Sequence, residues 1–171
     1  MMKHRSSLLT LCLALAACSP AVSDSAGARA GGAPAASAQV HPVSGLAVVP
    51  LTVTVASGKH KGARHAFRVE VAHTGAEQAR GLMFRTRMGP DEGMIFPMSP
   101  PRMASFWMRN TVIPLDIVFV APDGRIINIA ASATPYSEDL RQSLAPVSAV
   151  LELNGGRAAE LGIGPGDKVE W

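Results

Sequence analysis

A chain of 171 residues with 47% hydrophobic and 17% charged side chains has room for one domain of ordinary size, with enough apolar material to fold without disulfides or metals. Aromatic residues make up only 5%, which argues against a surface built for stacking on single-stranded nucleic acid, so no nucleic-acid partner is expected. The balance of 16 Lys and Arg against 13 Asp and Glu gives +3, a mildly basic chain whose excess has to be located before it is interpreted.

Much of that excess sits at the N-terminus. Lys3, His4 and Arg5 precede an uncharged, mainly apolar run from Leu8 to Ala17, which predicts a secretion signal over residues 1–17. The run is too short for a lasting membrane-crossing helix, which needs roughly 20 apolar residues. Leu15-Ala16-Ala17-Cys18 resembles the lipobox of bacterial lipoproteins. The resemblance implies cleavage just before Cys18, lipid attachment to its thiol and acylation of its amino group, by palmitate or a similar chain. Ser19 follows the cysteine where an Asp could retain such a protein in the inner membrane, so the expected location is the bacterial cell envelope, facing the periplasm, with the outer membrane favoured. Cys12 would leave with the signal and Cys18 would carry lipid, so the mature chain would hold no free thiol for catalysis, disulfides or metal. Loss of Lys3 and Arg5 would lower the 16 basic residues to 14 against 13 acidic ones, a side-chain charge of +1.

Residues 18–46 are rich in Ala, Ser, Gly and Pro without apolar periodicity, which predicts a flexible tether. A single domain is expected over residues 47–171. Leu51–Val55 alternates and Ala66–Val71 answers it across the basic loop Ser57–His65, predicting a hairpin with a charged tip. Thr74 and Glu77 form a capping-box pair ahead of a short helix limited by Gly81. Further strands are expected at Gly93–Phe96, Ala104–Arg109, Leu115–Val120, Arg125–Ala131, Val147–Leu153 and Lys168–Trp171, with a second short helix beginning near Asn154 or Gly155 and running through Leu161. The predicted fold is mainly β: a compact, partly closed barrel or sandwich of seven or eight short strands with two short helices.

The stretch Ser105–Phe119 is the most informative. Leu115, Ile117 and Phe119 alternate with Asp116, Val118 and Val120, so both faces of this strand are largely apolar and both should be covered. Asp116 then needs a cation or several donors. Arg109 and Arg80 are the candidate partners, and capping of a turn is the other option. Arg80, Trp107, Arg109, Asn110 and Asp116 form the candidate ligand-binding set: arginine as a planar charged fork, Trp107 as an apolar platform, Asn110 for neutral hydrogen bonds and Asp116 to orient the arginine.

Three blocks here, Arg80-Gly81-Leu82-Met83-Phe84-Arg85, Glu92-Gly93-Met94-Ile95-Phe96 and Phe106–Thr111 with Ile113–Ile117, resemble the signature of the bacterial and archaeal family called domain of unknown function 192. The resemblance runs from about Leu51 to Val169. It implies a small β-rich domain, often exported, without an established activity.

The functional expectation is therefore an envelope lipoprotein, attached to the membrane through Cys18, whose domain is a non-catalytic binding module for an envelope polymer, a small anionic ligand or a protein partner. No cofactor, metal or catalytic residue is assigned. Two alternatives carry specific conditions. A hydrolase would use Asp116 or Glu138 as acid or base in a cleft. A periplasmic Cu(I)-handling protein would use the methionines Met83, Met88, Met94, Met98, Met103 and Met108, and would need at least two of their sulfurs to converge with a histidine.

Overall fold

The structure, a computed structural model, describes residues 39–171. The expected secretion signal, Cys18 and most of the expected tether lie outside the described residues. Ten strands and two short helices follow in the order β1 (Gln39–Val40), β2 (Ala47–Thr54), β3 (Arg64–Val71), α1 (Gly75–Arg80), β4 (Glu92–Arg102), β5 (Ser105–Phe106), β6 (Leu115–Val120), β7 (Ile126–Ala133), β8 (Arg141–Gln142), β9 (Val147–Asn154), α2 (Arg157–Leu161) and β10 (Lys168–Glu170). Eight strands form one mixed sheet in the order β1-β2-β3-β4-β9-β6-β7, with β10 also on β2, and β5 pairs with β8 apart from it. The β2–β3 hairpin places Leu51 opposite Phe67, and β3 runs parallel to β4 while the remaining pairs are antiparallel. A bridge between Arg125 and Lys168 brings the start of β7 to β10. The sheet thus curls back at one corner in a sandwich-like arrangement, without closing into a barrel.

Burial follows from the alternation of side chains. In the three central strands, one face supplies Ile95, Val118, Val120, Ala149, Leu151 and Leu153 to a core shared with β2, β3, β10 and α2. The other face supplies Met94, Phe96, Ile117, Phe119 and Val150 to a second core, covered by Ala72, Leu82, Ala104 and Met108. Every residue of β6 is buried, as the two apolar faces of Leu115–Val120 require.

The helix signals have direct counterparts. Thr74 caps α1, Glu77 N donates to its hydroxyl at 3.2 Å, and Glu77 accepts in return from Thr74 N and His73 N, both at 2.7 Å. Gly81 stops α1 with φ of 46° and sits against the Phe96 ring, where an added Cβ would stand 3.4 Å from two ring carbons. The fold departs from expectation at its edges. β1 pairs with β2 inside the stretch expected to be tether, and β8 has no alternating sequence to announce it. The segment expected to be a strand over Ala104–Arg109 keeps only two paired residues, because Trp107–Asn110 leaves the ladder as a loop that exposes Trp107 and Arg109 while Met108 stays in the core.

Candidate functional site

The C-terminal end of α1, the outer half of β4 and the loop after β5 enclose a cleft of about 330 Å³. Arg80 arrives from the last turn of α1, Arg102 from the end of β4, and Trp107 and Arg109 from the loop; all four are exposed. The Arg109 guanidinium lies 5.4 Å from the centroid of the Trp107 ring, and its Nε is 4.0 Å from Glu138. Arg80 and Arg102 have no carboxylate partner among the described residues. Phe96, Met98 and Phe106 supply apolar wall, with Phe96 and Phe106 packed edge to face at 5.1 Å between ring centroids.

The loops around this cleft are tied to one another through their backbones. Phe84 N donates to Asn110 O at 2.8 Å, Tyr136 N to Thr111 O at 3.1 Å and Met108 N to Ser137 O at 2.8 Å. Phe84, Asn110 and Tyr136 all hold positive φ, between 56° and 63°. Such conformations cost free energy in non-glycine residues and persist where surrounding contacts fix them. Arg85 anchors the same loop from beneath: its two terminal nitrogens donate to the Glu70 carboxylate at 2.8 and 3.1 Å, and the Ser44 hydroxyl also bonds to Glu70.

Asp116 does not belong to this cleft. Its side chain is fully buried on the opposite face of β6, and no arginine of the described residues pairs with it. Instead its Oδ1 accepts from Ser132 N at 2.7 Å and Gly156 N at 2.9 Å, and its Oδ2 from Ala158 N at 2.8 Å. The physical reason lies in two local irregularities. A register shift between β6 and β7 sets Ala131 and Ser132 against the single residue Asp116, freeing the Ser132 N–H. The α2 N-terminus begins at Gly156 without a side-chain cap of its own, so its orphan donors turn to the carboxylate. Asp116 thus orients no arginine of the described residues, and its fully buried carboxylate does not face the cleft, as an acid-base role there requires. Asn110 does not line the cleft: its carbonyl accepts from Phe84 N and its amide nitrogen lies 3.8 Å from Met83 Sδ. Glu138 is exposed, on the Arg109 side of the cleft mouth.

The carboxylate that does line the cleft is Glu152, on β9, which the sequence reading passed over. It is 5% exposed, and burial pushes its carboxyl up to about 8, so it holds a proton at neutral pH. No side-chain hydrogen bond or ion pair satisfies it among the described residues. The signal was available: Glu152 interrupts an apolar run from Ala149 to Leu153, as Asp116 interrupts Leu115–Val120.

The methionines divide among several environments. Met83, Met98 and Met103 line the cleft, Met94 and Met108 are fully buried in the second core, and Met88 lines a separate cavity with His41. Among the described residues no histidine lines the cleft, so they do not form there the convergence that Cu(I) handling needs. Among the described residues there is no group of three or more His, Cys, Asp or Glu side chains that could hold a metal ion.

Fold and cleft together define a small, β-rich domain with an arginine-bearing, apolar-walled cleft. The chain belongs to the family described as an uncharacterised ACR, domain of unknown function 192, whose model matches residues 56–171. Among solved structures it is similar to a protein of unknown function from Novosphingobium aromaticivorans DSM 12444, with 63% identity, a TM-score of 0.74 and coverage of 80% of this chain and 94% of that one. It is also similar to a Sinorhizobium meliloti 1021 protein described as a candidate transcription regulator, with 41% identity, a TM-score of 0.69 and coverage of 73% and 94%. No curated protein matches the chain.

Proposed function

We propose that the domain is a non-catalytic binding module of the bacterial cell envelope, and that its cleft receives a small ligand bearing an anionic group and an apolar body. The observation that carries this reading is the placement of Arg80, Arg102 and Arg109 on one cleft whose walls include Phe96, Met98 and Trp107. Arg80 and Arg102, without a carboxylate partner among the described residues, favour an incoming carboxylate or phosphate, and Arg109, whose contact with the exposed Glu138 is long at 4.0 Å, is held over Trp107 for the same role.

Hexanoate, a carboxylate on an apolar chain, serves as the probe. The chain has two tryptophans, so a Trp171→Phe background leaves Trp107 as the fluorescent reporter. Hexanoate should shift its emission saturably, and Arg109→Ala should abolish the response while leaving stability within about 0.5 kcal/mol, because Arg109 is exposed. An unchanged response in Arg109→Ala would overturn the assignment.

For the attachment to the envelope, the support is the basic, apolar and Leu-Ala-Ala-Cys order of the first 18 residues. Labelled palmitate should enter the wild type and not Cys18→Ala; equal labelling would contradict a lipid anchor at Cys18.

A further inference from the structure

The cleft carries opposite potential charges at separate places. Its acidic lining residue is Glu152, and its basic ones are Arg80, Arg102 and Arg109. Glu152 is flanked in the sheet by Met94 of β4 and Ile117 of β6, fully buried and non-titratable, so the arginines of α1, β4 and the loop are the charged groups that share its cleft. Burial is the cause of its raised proton affinity, with no arginine pulling the other way. Among the described residues no arginine forms an ion pair with the Glu152 carboxyl, although all three line the same cleft, so a molecule lying in it can meet both kinds of group. The Glu152 carboxyl, nearly buried and reaching solvent only through the cleft, is costly to ionise alone, and a cationic nitrogen in the cleft offsets that cost because both charge and hydrogen bonds are matched in a low-dielectric site.

Deepening the binding reading above, on which it rests, we propose that the cleft takes a small amphoteric molecule: a protonated amine against the Glu152 carboxylate, a carboxylate among the arginines, and an apolar spacer along Phe96, Met98 and Phe106. The proton balance is fixed by this arrangement. The ligand arrives as an ammonium group and keeps its proton, the Glu152 carboxyl ionises to pair with it, and one proton leaves to solvent for each molecule bound.

Three compounds with the same six-carbon body separate the contributions: 6-aminohexanoate has both groups, hexanoate only the anion and hexylamine only the cation. By calorimetry at pH 7, 6-aminohexanoate should bind roughly tenfold or more tightly than either of the others. Repeating the titration in buffers of different ionisation enthalpy should show release of about one proton, as linkage requires for a group protonated before binding. Glu152→Gln, which keeps the shape but cannot ionise, should drop 6-aminohexanoate to the level of hexanoate and remove the proton release. Retained hexanoate binding in that variant would show that its cleft is formed. Hexanoate binding as tightly as 6-aminohexanoate, or no proton release, would overturn the amphoteric ligand while leaving the anion cleft standing. No binding of any of the three would overturn both.

Discussion

At the scale of single residues, two carboxylates in apolar strands have opposite fates. Asp116 and Glu152 each interrupt a run of aliphatic side chains, and each is buried. Asp116 is consumed by three backbone N–H groups, whereas Glu152 has none. Sequence singles out Asp116 as a buried acid needing donors, but it cannot say that the donors are main-chain groups, because these come from a register shift and a helix end some 16 to 42 positions away. Glu152 should leave a pH signature. Below about 4.5 its carboxyl is protonated folded and unfolded alike; between there and about 8 the unfolded chain gives up the proton and the folded domain keeps it. Its contribution is therefore fully present below the unfolded value and is lost as pH rises through that window. Denaturant melts of wild type and Glu152→Gln should show the wild type losing stability relative to the variant across it. Parallel profiles would mean that Glu152 is not desolvated.

At the scale of elements, short helices with few contacts of their own depend on what caps them. The Thr74–Glu77 box is local, and its spacing alone announces α1. The α2 helix has no such local signal: Gly156 is in the left-handed region and the acceptor is supplied by β6. Replacing Asp116 with Ala would strand these donors and should cost about 3–5 kcal/mol, read from chemical melts. A loss below about 1 kcal/mol would show that water or a rearranged α2 replaces the carboxylate. Among strands, β2, β3, β6 and β9 were legible because alternation or a double apolar face marks them. β1, β8 and most of the stretch after Ala104 were not, since two-residue pairings at an edge carry no period to detect.

At the scale of the whole molecule, the sheet places its functional parts on one side. The central strands are buried on both faces: one core packs against β2, β3 and α2, and the other supports the cleft. Arg80 and Arg109 were legible from sequence as candidates, but Arg102 and the gathering of the three were not, since α1, β4 and the loop after β5 meet only through the fold. The most direct test is a two-dimensional amide NMR titration of the chain with 6-aminohexanoate. The account predicts saturable shifts confined to the cleft lining, among them Arg80, Arg102, Trp107 with its indole N–H, Arg109 and Glu152, with Trp171 unmoved. Shifts scattered over the surface, or centred away from Trp107 and Glu152, would contradict it.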